Sequence, residues 1–549
     1  MSTLDLAIVG ATVVDGSGAP ERRADVGVAG DRIVAVGDLS GATAARTIDA
    51  GGRMVMPGFI DAHGHSDVGL YVNPQCQSKL AQGITSEVMG NCGYSPFPLL
   101  PNNRGYLLDP KGVDVDWSTA DEYFATVSAR GFGINAVPQV GHITVRAAVL
   151  DNQDRPATRD EIARMKGHVR DAMVAGARGL STGLDYPCST TADLDEIVSL
   201  AEVAAEYDGF YSSHLRGYSR NVLNAVVEAI EVGRRTGVRV QLSHLGVFGR
   251  KQWGFGRRLL DIMDDARADG VRVACDIMPY RTKGSWWGPR AILPAEVHDW
   301  KRPWPENLPG LKAILSDKAQ RAALKEQVEA RRVRPKYGFH EEFVQFSDWR
   351  DIYIEELAPD SPHRAFLGKS VADLAGHLKA EPCDVWFDLV VTEGETLATT
   401  CIQVADDDFR GLLTDEWTMF GTDAIATDLS RLREPWNTIQ PHPRHYGSFP
   451  RVLGKFVRDE HALALPEAVR RMTGLVADFL GLEDRGHVRE GGHADLVVVN
   501  PVTVGEAATW RMPNAYPEGI EHVFVNGVEA VAGGRCTGAL GGRMLTRAA

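Results

Sequence analysis

Eight short apolar runs, each ending at a polar residue, constrain this chain more than any other feature. They are GFIDAHGH (58–65), GITSEVMGNC (83–92), FGINAVPQVGH (132–142), ARGLSTGLDY (177–186), GFYSSHL (209–215), VRVQLSHL (238–245), VRVACDIMPY (271–280) and WTMFGTDA (417–424). Helical patterns separate most of them, for example RNVLNAVVEAIEVGRRTG at 220–237. Strands alternating with helices predict a parallel sheet. Eight such units predict an α/β protein built on a (β/α)8 TIM-like barrel, whose working face is the C-terminal rim of the strands. The spacing breaks once, between Tyr280 and Trp417. Residues about 285–400 therefore read as an insertion between strands seven and eight, partly helical (AQRAALKEQVEARR) and placed to act as a lid.

Both ends of the chain read differently. LAIVGATVVDG, DVGVAGDRIVAVGD and RTIDAGGRMVMPG near the start are Val-rich and punctuated by glycine, as are ADLVVVN and HVFVNGVEAVAGGR near the end. Asn526-Gly527 carries a hairpin signal. The reading is a small β-sandwich domain from residues 1–56 plus 486–549, flanking a catalytic barrel over 57–485.

Composition narrows the partners. The net charge of −14 and the lack of a basic block argue against nucleic acid. No run of 18 apolar residues argues for a membrane span, and MSTLDLAIVGATVVDG reads as a strand rather than a signal peptide. Seven cysteines in no paired spacing predict a cytoplasmic protein without a disulfide framework. A small-molecule substrate is the expected partner, and self-association stays open.

The strand ends carry the chemistry. His63 and His65 follow strand one with a period of two, so both face one side. Cys92 ends strand two, His214 strand five, His244 strand six, and Asp423 follows strand eight. Each alone has an ordinary reading: a His-x-His in a turn, a cysteine as a small buried hydrophobe, an aspartate in an Asx-turn. Imidazole, thiolate and carboxylate together on one rim predict a Zn²⁺ site. His142, at the end of strand three, reads either as a substrate contact or as a supporting histidine.

The motifs PGFIDAHGHSD, QGITSEVMGNCG, GARGLSTGLDYP, SSHLRGYSRNVLNAVVEAIEVGRRTGVRVQLSHL, FGTDA, HPRHYGSFPRVLG and VREGGHADLVVVNP resemble those of the amidohydrolase superfamily. Within it they resemble the N-acyl-D-amino-acid deacylase (D-aminoacylase) family, along nearly the whole chain. Many superfamily members bridge two metals with a carboxylated lysine on strand four, and GARGLSTGLDY has none. The resemblance instead implies that Cys92, His214 and His244 hold the tight metal, with His63, His65 and Asp423 around a weaker position sharing Cys92. It implies that Tyr186 and Tyr280 contact a substrate carboxylate. Arg444 lies in a matching motif, with a surface role equally open. The family usually has a lysine two residues after the strand-six histidine, and here that position is Gly246. Loss of that charge-assisted contact costs on the order of 1.5–3 kcal/mol, and Arg250, Lys251, Arg281 and Arg290 are the cations near enough in sequence to compensate. A second departure, GTDA for the usual Ser-Asp-Gly, keeps the aspartate. Trp286 and Trp287 read as lid packing or as an acyl-group contact.

The chemistry expected is hydrolysis of a linear amide. Zinc lowers the pKa of bound water towards about 7 and polarises the carbonyl. Asp423 takes the water proton and returns it to the leaving amine. The alternatives are an amidase for a carboxylate-free or cyclic amide, and a catalytically silent scaffold.

Overall fold

A computed structural model describes residues 4–104, 115–282, 304–333, 348–429 and 442–547. Eight parallel strands neighbour one another in chain order: β1 (Phe59–Asp61), β2 (Ile84–Met89), β3 (Asn135–Gly141), β4 (Gly179–Gly183), β5 (Phe210–His214), β6 (Arg239–Leu242), β7 (Val273–Ile277) and β8 (Thr418–Phe420). Each lies within one of the eight runs picked out by sequence. Every residue of the eight is buried, as expected of parallel strands covered by helices outside and filled inside. The intervening helices obey simple stop and start rules. Thr158 and Glu161 form a capping box at the start of Arg159–Val174. Gly237, at φ 73°, ends Val222–Thr236.

The ring closes between β8 and β1 just beyond the strands themselves. Ala62 N–H donates to Phe420 O at 3.1 Å, Asp423 N–H to His63 O at 2.7 Å and His65 N–H to Ala424 O at 3.1 Å. This closing seam therefore runs through the segments that carry His63, His65 and Asp423.

Both termini build the second body. Strands Arg32–Gly37, Asp25–Ala29, Leu4–Val9 and Ala44–Asp49 form one sheet. The second sheet sets four C-terminal strands, with Leu496–Val499 innermost, beside Met54–Pro57, Thr12–Val13 and Arg22–Arg23. Ile8, Val26, Ile33, Val55, Leu496 and Phe524 pack between them. Asn526 (φ 50°) and Gly527 (φ 80°) make the tight turn that pairs Val525 with Val528. Only Gly58 separates Met54–Pro57 from β1.

Between β7 and β8 sits a lobe with its own core. Helices Trp304–Ser316, Lys318–Val333, Val371–Leu378 and Pro382–Glu393 surround the antiparallel pair Ile352–Glu356 and Ala398–Cys401. Leu311, Val328, Ile354, Leu374, Trp386 and Phe387 fill it. Trp286, Trp287 and Arg290 lie outside the described residues. Among the described residues no helix is long and apolar enough to cross a membrane.

A buried polar network ties the terminal body to the barrel. Arg485 is ion-paired with Asp495 and donates to Asn526 Oδ1 at 2.8 Å, and Asn526 Nδ2 donates to Asn135 Oδ1 on β3 at 2.7 Å. Asp495→Ala would strand the Arg485 charge inside, and is expected to cost about 3–5 kcal/mol in urea unfolding. A loss under about 1 kcal/mol would show that water compensates Arg485.

Candidate metal centre

The donors are set by close backbone contacts. A Cβ at Gly64 would lie 2.2 Å from the Glu87 carboxyl carbon, and one at Gly421 would lie 2.6 Å from the His63 Cβ. Glycine is thus required in both HGH and GTD. Cys92 (φ 55°), His244 (φ 35°) and Asp423 (φ 48°) all have left-handed backbones. Such conformations cost of order 1–3 kcal/mol each and gather at functional sites.

The Cys92 Sγ lies 3.4 Å from His63 Nε2 and 3.5 Å from His244 Nε2. The charges of His65 and His214 are also influenced by this sulfur. His214 Nδ1 is 3.0 Å from His244 Nε2. The Asp423 Oδ1 lies 3.1 Å from His65 Nε2 and 3.8 Å from His63 Nε2. All six donors predicted from sequence thus meet at one place. The compact sets, with donor atoms within 4.8 Å of one another, are His63–Cys92–His244 and His63–His65–Asp423. His63 joins both, while Cys92 and His214 both adjoin His244, which keeps the expected set of Cys92, His214 and His244 together.

Three charged residues hold these donors, two of them, Asp276 and Asp185, not singled out from sequence. Asp276 on β7 faces His63 Nδ1 at 3.4 Å and accepts the His244 N–H at 2.8 Å. Asp185 Oδ1 lies 2.8 Å from His214 Nε2. Carboxylates placed so fix which ring nitrogen faces a metal. Arg444, only 2% exposed, donates from Nη1 to Asp423 Oδ2 at 2.8 Å. The surface role open to it from sequence is excluded.

Burial pushes the Cys92 thiol up, but the His63 and His244 imidazoles outweigh it and hold the group well below its ordinary value. Burial likewise raises Asp423, yet Arg444 holds it well below the carboxylate range. Burial lowers His65, and Asp423 and Cys92 raise it to about 9. For His214, burial is outweighed chiefly by Asp185, giving about 9. The donor set is therefore anionic at sulfur and carboxylate, with imidazoles that shed protons when a cation binds.

The sequence matches the amidohydrolase family ("Amidohydrolase family") over residues 46–531. The chain belongs to that family. An N-acyl-D-glutamate deacylase from Alcaligenes xylosoxydans xylosoxydans is 37% identical over 95% of this chain and 93% of the relative. A D-aminoacylase from the same organism is 34% identical over 99% and 98%. The crystal structure of N-acyl-D-glutamate deacylase from Bordetella bronchiseptica superposes with a TM-score of 0.74 at 32% identity, covering 100% of both chains. That protein was crystallised with zinc and a phosphonate inhibitor that mimics the tetrahedral intermediate.

In this amidohydrolase the expected substrate contacts divide. Tyr186 stays at the centre, with its hydroxyl 3.3 Å from His214 Nδ1. The Tyr280 hydroxyl is committed elsewhere, donating to Glu506 Oε2 at 2.8 Å, while Arg451 covers its ring at 4.5 Å. His142 does not end a strand: it opens the helix His142–Leu150, and its Nε2 meets Glu196 Oε1 at 2.8 Å. Glu196 is also bound by Arg146, whose Nη atoms reach Arg155 O and the Cys188 carbonyl behind Tyr186. His142 thus braces the loop that carries Tyr186. At Gly246 a Cβ would lie 2.7 Å from the Phe248 ring and 3.2 Å from Val404, so the surroundings are apolar. Arg250 does not compensate there, because Asp351 holds it through two 2.6 Å bonds. Arg281 is likewise bound to Val404 O at 3.0 Å.

Burial raises the Glu196 carboxyl, but His142 and Arg146 lower it more, from 4.5 to about 2. A depressed carboxylate contributes its full stability above the unfolded value and loses it as pH falls towards the folded one. Stability should therefore drop between about pH 4.5 and 2. Glu196→Gln is expected to cost about 3 kcal/mol at pH 7 and to flatten that acid limb, measured by urea unfolding at pH 7 and pH 3. An equal loss at both pH values would assign the effect to packing.

Proposed function

We propose that this chain is a zinc-dependent hydrolase that deacylates an N-acyl-D-amino acid. The observation that carries it is the meeting of Cys92, four imidazoles and Asp423 at the C-terminal rim of the barrel. A thiolate, neutral imidazoles and a carboxylate within a few ångströms fit a borderline-soft divalent ion. Cys92, His214 and His244 would hold the tighter ion, and His63, His65 and Asp423, sharing Cys92, would surround a second position. Zinc so held supplies Lewis acidity at the scissile carbonyl and a water whose pKa falls towards about 7.

The chain's own groups do the rest. Asp423, kept ionised by Arg444, takes a proton from the attacking water and carries it to the departing amine, which leaves only when protonated. The Tyr186 hydroxyl, beside His214, is placed to donate to a developing oxyanion. Arg444 sets a buried guanidinium at the centre, so a carboxylate-bearing substrate keeps a cationic partner despite Gly246. The relatives that act on N-acyl-D-glutamate and on other N-acyl-D-amino acids support this substrate class. All seven cysteines are free, which supports a cytoplasmic location. Retention of the whole donor set speaks against a silent scaffold.

Zinc-loaded enzyme is expected to hydrolyse N-acetyl-D-amino acids, and a chelator to abolish the activity. Turnover confined to carboxylate-free or cyclic amides would overturn the substrate reading. Asp423→Asn should lower kcat by about 10²–10⁴-fold while most zinc is retained, measured by metal analysis and steady-state kinetics. Asp276→Asn, which loosens His63 and His244, should weaken zinc binding about 10–100-fold in a competition titration. Wild-type affinity in that variant would remove Asp276 from the site.

A further inference from the structure

The seam that closes the barrel has a buried ammonium beneath it. Lys79 lies on the single-turn helix Gln77–Leu80 and is wholly buried. Its Nζ is 2.7 Å from Asp61 Oδ2, 2.9 Å from Glu87 Oε2, 2.8 Å from Thr422 Oγ1 and 2.8 Å from the Ala424 carbonyl oxygen. Asp61 belongs to β1, Glu87 to β2, and Thr422 and Ala424 to the segment after β8. One side chain thus joins three elements at the point where the first and last strands meet.

The partners of Lys79 pass its position on to the donors. Asp61 Oδ1 accepts the His63 N–H at 3.2 Å and the Thr422 N–H at 2.9 Å, and its other oxygen accepts the Thr422 hydroxyl at 2.6 Å. Glu87 accepts the Ser66 N–H at 2.8 Å and the Ser66 hydroxyl at 2.9 Å. Ser66 Oγ in turn accepts the Ala426 N–H at 2.8 Å. His63 and His65 therefore lie on a segment pinned at Asp61 and Ser66, and Asp423 on one pinned at Thr422, Ala424 and Ala426. Both segments are pinned, directly or through one carboxylate, by Lys79.

Such a cluster is a poor device for stability alone. Burying charge is costly, and well-packed apolar residues often replace a buried ion group at no loss. What they do not supply is direction: four oxygens held at fixed angles set the offset between two chain segments. We infer that Lys79 is a positioning residue of the hydrolytic centre, fixing where Asp423 stands relative to His63 and His65. This rests on the zinc hydrolase reading above. A misplacement of about 1 Å at a reacting group costs about a hundredfold in rate, so the offset bears on turnover.

Two variants test it. Lys79→Met with Glu87→Gln keeps side-chain volume and the cluster's net charge of one negative, but removes the pins. Thr422→Val removes one hydroxyl and leaves every charge. Both are loaded with cobalt(II), whose visible absorption reports ligand geometry whatever the substrate, and compared in kcat, KM and unfolding temperature. The expected result is an altered cobalt spectrum in both. The double variant should lose about a hundredfold in kcat and Thr422→Val about tenfold, with KM within about threefold and Thr422→Val unfolding near the wild-type temperature. Wild-type spectra and kcat in both, or in Thr422→Val should the double variant fail to fold, would overturn the inference and leave Lys79 a structural charge. If wild-type protein takes up no cobalt, the hydrolase reading falls and this inference with it. If it binds cobalt but hydrolyses no N-acyl-D-amino acid, only the substrate is wrong, and altered spectra would still support Lys79.

Discussion

The centre depends on one thiol. Cys92 is buried, stands on a left-handed backbone and meets imidazoles from β1, β5 and β6. A sulfur surrounded by ring nitrogens is stable in the interior only as a thiolate balancing positive charge, whether of protons or of a metal ion. That requirement explains the carboxylates behind the rings. Asp276 and Asp185 meet His63 and His214 on the nitrogens that face away from the sulfur. The arrangement is a set of fixed dipoles built around a cation, and the barrel is the frame that keeps those dipoles from relaxing.

The fold was legible in the sequence because buried parallel strands write themselves as apolar runs. Each of the eight runs contains a barrel strand, and Asn526-Gly527 forms the hairpin turn its dipeptide indicates. The six donors were legible for a related reason: polar side chains at the ends of apolar runs have little else to do. What sequence reading missed lies one step back. Asp276 in VACDI and Glu87 in ITSEVM are charges inside buried strands, a signal visible in the sequence but not weighed. Lys79, in the short segment CQSKLAQG, looks like an exposed lysine, because nothing local reveals Asp61 and Thr422 around it.

The substrate contacts were less legible, since each hydroxyl or ring has several partners within reach and the sequence does not rank them. Tyr280 is drawn to Glu506, more than two hundred residues on, and His142 to Glu196 on the helix Leu194–Glu206. His142 reads as a rim residue because it closes a strand-like run, and Tyr280 as a substrate contact through its resemblance to the family. In each case a carboxylate from a distant segment captured the polar tip. Arg444 went the other way: its motif leaves a surface role open, yet its guanidinium reaches Asp423.

Gly58 is the whole distance between the sandwich strand Met54–Pro57 and β1. The strand that pairs with the C-terminal half of the sandwich therefore runs on, one residue later, into the strand that presents His63 and His65. A joint that short leaves no hinge. The two bodies are coupled through that joint: trimming or exchanging the sandwich would reset the phase of the first barrel strand, and with it the placement of His63 and His65.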